Sequence, residues 1–278
     1  DMYRKMHDVV MDTYDPNSTG EAIIHDNFQD SEYDDYYGNE QYYAFYAMPE
    51  ISIGSKITLV PGVRYESNRT EYTGYRGERI GVLRSSTPTP IDTVTRVREN
   101  EFLLPMIQAV YKPADWLNFK AGYTHTLQRP NYNDIMPGWV IGNRGSIDHL
   151  SNFKLKPELS KNYDLQVSVF SDKIGLFSVG GFYKEVTDMI FWTGNKAILD
   201  TAYFELPSIM YRKTAAWAVN NENIAINYGY EIEWQSNFWY LPGLLKGLVM
   251  NVNYTRNVSV ADYPKTKIKT IVDPETYT

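Results

Sequence analysis

The sequence predicts an all-β protein, an antiparallel transmembrane β-barrel, and three observations predict it. Segments of about ten residues alternate apolar and polar side chains with a period of two. The apolar face of every such segment is free of charge, and the connections are alternately short and long. Outer-membrane barrels combine tight periplasmic turns with long external loops. Here Ile53 to Lys56 is followed by a 34-residue stretch from Ser67 to Asn100, then Lys112 to Asp115, then a 32-residue stretch from Arg129 to Ser160.

Composition narrows the class. No run of about 18 to 20 apolar residues occurs, so a chain of this kind in a membrane must span it as strands. The 24 Tyr, 11 Phe and 6 Trp are more than most soluble folds need, and Tyr and Trp favour sites with one dry and one wet end. The absence of cysteine removes disulfide frameworks and thiolate metal sites.

Eight strands follow in order. Gln41 to Ser52 comes first and is aromatic on both faces. In Ile57 to Glu66, one face carries Ile57, Leu59, Pro61, Val63 and Tyr65, and the other Thr58, Val60, Gly62, Arg64 and Glu66. Phe102 to Tyr111 contains Pro105, an objection to a paired strand that a bulge or rim position answers. Leu117 to Thr126 sets Leu117, Phe119, Ala121 and Tyr123 against Asn118, Lys120, Gly122 and Thr124.

The pattern repeats in Tyr163 to Phe170 and in Phe177 to Lys184, and is strongest near the end. Tyr228, Tyr230, Ile232 and Trp234 oppose Gly229, Glu231, Glu233 and Gln235; Leu248, Met250, Val252 and Tyr254 oppose Asn251, Asn253 and Thr255. Tyr65, Tyr123, Tyr163, Tyr183, Tyr228 and Tyr254 fall at long-loop ends, and Tyr111, Trp116 and Trp234 at short-turn ends, as two interfacial girdles require.

A soluble sandwich alternates too, so the choice rests on which face is wet. A solvated sandwich face should be rich in Lys and Glu. This one is mostly Gly, Thr, Ser, Asn and Gln with scattered charges of both signs, which suits a hydrated lumen. Arg64, Lys120, Asp164, Lys184, Glu231 and Glu233 then face the lumen. A lysine or arginine on the opposite face would cost about 2–4 kcal/mol at the bilayer midplane.

The net charge of -7 is unevenly placed: residues 1 to 50 hold twelve acids against Arg4 and Lys5, leaving 22 acids and 25 bases. Residues 1 to 40 read as an acidic extracellular loop region, with a divalent-cation or cationic-ligand site as the sharper alternative for Asp30 to Glu40. Residues 41 to 256 read as four hairpins of the barrel wall, and 257 to 278 as the start of a further loop. The opening residues carry charge where a signal peptide has its apolar core, so a processed or truncated start is expected. No basic patch with interleaved aromatics points to nucleic acid.

Several runs resemble one family. ITLVPGVRYE (57–66), TLQRPNYNDIMP (126–137), NFKLKPELSKNYDL (152–165) and GGFYKEVTDMI (180–190) are similar, in order, to strand and loop motifs of TonB-dependent outer-membrane receptors. So are Gly229 to Glu231, Leu241 to Gly247 and Asn251 to Thr255. The resemblance covers about residues 40 to 256. It implies about eight strands of a 22-stranded barrel in the bacterial outer membrane, with the N-terminus of this segment outside. It also implies energy-coupled uptake of a scarce solute, of glycan, peptide, siderophore or cobalamin class. TonB would act through an N-terminal plug, and neither plug nor TonB box is visible before residue 40, so a middle-to-late fragment is expected. A surface lipoprotein lid is frequent in the glycan-importing branch, and no residue here requires one.

Ligand chemistry is expected in the external loops, where Trp139, Asn143, Arg144, Trp192, Tyr203 and Trp217 place aromatics beside amide and guanidinium groups. The alternative is that these residues pack the loops against one another. The four histidines show no ligand spacing, so neither metal nor cofactor is expected. No nucleophile elbow, zinc-protease, Walker or dinucleotide motif occurs, and Glu231 with Glu233 is the spacing of any strand with alternate acids, so no enzyme is expected. Two other readings stay open: a self-contained eight-stranded outer-membrane anchor or adhesin, and a soluble β-rich carbohydrate-binding domain.

Overall fold

The computed structural model describes residues 10–13, 23–26, 35–78, 92–142 and 146–264. Among the described residues, strands β1 (Val10–Thr13) and β2 (Ile23–Asp26) pair only with each other. Next come β3 (Tyr37–Ala47), β4 (Ile51–Ile53), β5 (Ile57–Glu78), β6 (Asp92–Ala114) and β7 (Leu117–Gln128). A helical turn at Tyr132–Ile135 precedes β8 (Trp139–Ile141), β9 (Ile147–Leu150), β10 (Glu158–Ser171) and β11 (Gly175–Thr187). The short strands β12 (Ile190–Trp192), β13 (Lys196–Ala197), β14 (Thr214–Ala215) and β15 (Ala218–Asn220) lead to β16 (Ala225–Asn237) and β17 (Val249–Val260).

The wall is one curled antiparallel sheet in which β3 and β4 flank β5, followed by β6, β7, β10, β11, β16 and β17. Register sorts its two faces. Along one face Tyr123 stands opposite Tyr163, Tyr163 opposite Tyr183, and Tyr183 opposite Tyr228. The first two pairs bring ring centroids to 4.9 and 6.1 Å. Below this tyrosine row come Ala121, Leu165 and Gly181, then Phe119, Val167, Val179 and Ile232. None of the described residues covers this apolar face: Leu103, Leu165 and Tyr254 are 66, 58 and 53% exposed. A sandwich would bury these residues under a second sheet.

The opposite face carries Lys120, Asp164, Gln166, Glu231 and Glu233 around a hollow of about 360 Å³. Ser178 donates to Ser168 at 2.8 Å, and both are buried in the wall. No described helix is long and apolar enough to cross a membrane.

Three features differ from the sequence expectation, each for a physical reason. The segment Gln41 to Ser52 is interrupted between β3 and β4. The register is continuous across the gap and sets Pro49 opposite Pro61, so neither residue has an amide to donate. The stretch from Ser67 to Asn100 is not loop throughout: β5 and β6 stay paired up to Arg76 opposite Asp92. At a rise of about 3.3 Å per residue, the paired hairpin stands roughly 33 Å along its strands beyond Glu66. Pro105 is tolerated because β6 meets β7 only from Met106 opposite Thr124 downward, so β7 asks nothing of the residue above.

The long loops fold back onto that hairpin. Segment 137–139 crosses β5 so closely that a Cβ on Gly74 would lie 1.9 Å from the Pro137 carbonyl oxygen. One on Gly138, whose φ is +144°, would lie 2.2 Å from that of Tyr75. This approach lets β8 pair in parallel with the top of β5, Arg76 opposite Trp139. Above the wall, Ile141, Leu150, Ile198, Leu206, Met210 and Ala215 form one small core, and Tyr72, Ile135, Leu155 and Ala218 another.

Candidate functional site at the long-loop end of the concave wall

On the concave face the even-numbered residues of β5 continue upward as Arg64, Glu66, Asn68, Thr70 and Tyr72. Register adds Tyr42 and Glu40 of β3 on one side and Asn100 and Arg98 of β6 on the other. The segment 129–135 and Pro157 close over them, leaving a cavity of about 820 Å³ with Trp192 at its edge.

Charge is arranged in two clusters, one around Glu66 in the adjoining hollow, joined to the cavity lining through Tyr42 and Arg129, and one within the cavity itself. Arg64 donates to Glu66 Oε1 at 2.5 Å and to the Tyr42 hydroxyl at 2.9 Å. Arg129 donates to Glu66 Oε2 at 2.7 Å and lies over the Tyr42 ring at 5.0 Å. Glu66 is largely buried, so the two guanidiniums compensate a carboxylate that has lost most of its water. In the second cluster Glu40 accepts from the hydroxyls of Tyr72 and Tyr132, whose rings meet edge to face at 5.9 Å. Burial, then Glu40, pushes the Tyr72 phenol well above its ordinary range, and Glu40 raises Tyr132.

Arg98 is different. Its guanidinium donates to the Leu155 carbonyl and sits 5.7 Å from the Phe153 ring, with no carboxylate in ion-pair range among the described residues. Desolvation lowers its pKa, the sign of a cation short of compensation. An anionic group on a ligand would supply it.

The residues predicted from sequence divide. Trp139 donates from Nε1 to the Glu205 carbonyl at 3.1 Å and packs on the loop core. Trp217 packs on the same core and against Phe204 at 5.2 Å. Tyr203 donates to Asn152 at 3.2 Å and carries Lys154 Nζ 3.8 Å from its ring centroid. Of the six, Trp192 alone is seen lining the cavity, and it is 59% exposed. Asn143 and Arg144 lie outside the described residues, as does most of the acidic segment 1–40. Lys120, Asp164, Glu231 and Glu233 share the lower hollow, whereas Arg64 joins Glu66 near the top. Lys184, paired with Asn162 and Asn227, sits on the same face above the hollow. No group of His, Asp or Glu among the described residues has the geometry to hold a metal ion.

Sequence reasoning missed Tyr42, Tyr72, Arg98, Arg129 and Tyr132, and noticed Glu40 only as the end of the acidic run from Asp30. Asn68, Thr70 and Tyr72 continue the parity of Arg64 and Glu66, but Arg69 and Glu71 alternate with them, so no contrast of polarity marks them in the sequence.

This geometry meets its counterpart in comparison. The family model described as TonB dependent receptor-like, beta-barrel, matches residues 2–276. The chain belongs to that family. TonB-dependent receptors are outer-membrane transporters, not enzymes. Among solved structures, the chain is similar to the Serratia marcescens hemophore receptor HasR in complex with HasA and heme, at 17% identity and a TM-score of 0.51. That alignment covers 71% of this chain and 32% of HasR. The copper transporter OprC matches at 18% identity and TM-score 0.51 over 81% of this chain and 30% of its own. The ferric-catecholate import receptor Fiu of E. coli K12 matches at 16% and 0.50 over 81% and 29%. At these identities the likeness shows the fold. The chain spans about a third of the length of these receptors. No curated protein matches it.

Proposed function

We propose that this chain is part of the barrel wall of a receptor that takes up a scarce solute across the outer membrane, with energy delivered by TonB through a plug in the lumen. The 820 Å³ cavity at the outer end of the concave wall carries the reading. It offers tyrosine and tryptophan faces, amides from Asn68, Asn100 and Asn131, and Arg98 without a carboxylate partner, a set that suits a ring-bearing solute with an anionic or strongly polar group. Glycan, peptide, siderophore and cobalamin classes all meet that description.

In this reading the long-loop side is extracellular, as is the N-terminal acidic segment, and the tight turns face the periplasm. Lys120, Asp164 and Glu231, which form no ion pair with one another, face a plug across the lower hollow. The same reading takes residues 1 to 40 as an external region and 257 to 278 as the start of a further loop. A lipoprotein lid over the loops is an additional partner of the same reading.

Two readings are less well supported. A self-contained eight-stranded barrel needs its first and last strands to pair, and among the described residues β17 pairs only with β16 and β3 only with β5. A soluble domain needs its apolar face covered. Uptake of labelled glycans, siderophores, cobalamin and peptides by cells expressing the intact receptor tests the proposal, with a TonB-deficient strain as control. TonB-dependent accumulation of one class is expected; failure of every class overturns it.

A further inference from the structure

The connection between β16 and β17 differs from the other tight turns. Gly54 to Lys56, Asp115 to Trp116 and Asp172 to Ile174 reverse the chain in two or three residues. Phe238 to Leu248 takes eleven and contains a 3-10 turn at Gly243–Gly247, allowed by Gly243 at φ +64°. Its side chains are apolar and uncovered: Leu244 is 100% exposed and Leu245 53%, beside exposed Trp239 and Tyr240.

The turn is held, not free. Trp239 Nε1 donates to the Asp172 carbonyl at 3.0 Å, tying it to the neighbouring turn. Its aromatics run without a break into the membrane-facing wall. Trp234 meets Phe238 at 6.2 Å, Phe238 meets Tyr240 at 6.1 Å, and Tyr240 meets Trp239 at 5.9 Å. Trp234 itself stands opposite Phe177 and Val252 on the apolar face. A rigid apolar turn continuous with a lipid-facing surface, edged by Lys246 and Lys173, has the composition of an interfacial anchor.

We propose that the turn Trp239 to Gly247 is a lipid anchor inserted in the membrane leaflet on the short-turn side. Leu244 and Leu245 lie among the acyl chains, Trp239 and Tyr240 at the carbonyl level, and Lys246 at anionic phospholipid headgroups. The anchor pins the height of the wall at one point on its rim. It rests on the membrane-spanning reading of the wall but not on solute uptake.

The chain has no cysteine, so a single one introduced in this segment gives a unique label here. Leu244 is fully exposed, which leaves folding indifferent to its replacement. The intact receptor carrying Leu244→Cys, with any cysteine elsewhere replaced, is labelled with a nitroxide. It is then reconstituted in phosphatidylcholine and phosphatidylglycerol vesicles, and collision with oxygen is compared with collision with a water-soluble nickel chelate. Ser55→Cys, in a short turn of the same rim, is the aqueous reference. The oxygen-to-nickel ratio at position 244 is expected to exceed that at 55 several-fold. Equal ratios, or protection of 244 from both agents, overturn the anchor. Transport by the unlabelled receptor is read separately, so loss of uptake with a deeply placed label counts against the uptake reading alone.

Discussion

Arg129, the first residue after β7, reaches the buried carboxylate of Glu66 on β5 at 2.7 Å, bridging the fork that opens where β6 parts from β7 above Met106 and Thr124. The tall β5–β6 hairpin has no ladder to β7 there, so this ion pair is a direct tie between them. Arg129→Ala leaves Glu66 with Arg64 as its remaining cation and is expected to cost about 1–3 kcal/mol of local stability. Amide hydrogen exchange in β5 and β6 above the fork should quicken, while exchange in β10 and β11 should not change.

A second prediction concerns the crossing of segment 137–139 over β5. Gly138→Ala sets a Cβ against the Tyr75 carbonyl and strains a backbone at φ +144°, so the segment must lift. The parallel pairing of β8 with β5 should be lost, seen as faster exchange at Trp139 to Ile141 with the wall intact. Gly54→Ala, where a Cβ meets nothing, is the control and should leave that exchange unchanged.

Tyr72 gives a pH dependence of defined sign. Its phenol holds its proton more tightly in the folded protein than the ordinary value of 10.0, because burial and Glu40 disfavour the phenolate. As pH rises past 10 the unfolded chain loses this proton first, so the stability the group contributes is full below that pH and declines above it. Alkaline difference titration against Tyr72→Phe should show one late-titrating phenol in the parent, and the Phe variant should lose less stability above pH 10.

The cavity makes a fourth prediction. Arg98→Ala should weaken solute binding about 10- to 100-fold, the range expected for a hydrogen bond to a charged group. Arg69→Ala, on the opposite parity of β5 and paired with Glu99, should leave affinity unchanged. Isothermal titration with the transported solute compares the two.

How much of this was legible depended on where lipid acts. Between Ile57 and Glu66 the bilayer forbids charge on one face, so parity shows in the sequence and the strand is found. Above Glu66 both faces of the same strand are wet, Arg69 and Glu71 alternate with Asn68 and Thr70, and the signal vanishes although the strand continues to Glu78. The cavity residues Tyr72 and Arg98 sit in that silent stretch. Trp139 and Trp217 were visible as loop aromatics, yet composition alone does not separate a loop core from a ligand face. Pro49 was visible too, but its effect needed the register that sets it opposite Pro61.

The central claim is that the odd-numbered face of β10 touches acyl chains and the even-numbered face lines water. Leu165 and its chain neighbour Gln166 lie on opposite faces. Leu165→Arg should cost about 2–4 kcal/mol of membrane-inserted stability, while Gln166→Arg should cost little, because only the first faces the hydrocarbon. The fraction of intact receptor folded in bilayers across a denaturant series measures both. A large loss for Leu165→Arg beside a near-parental Gln166→Arg is the expected result; equal losses, or the reverse order, would contradict the account.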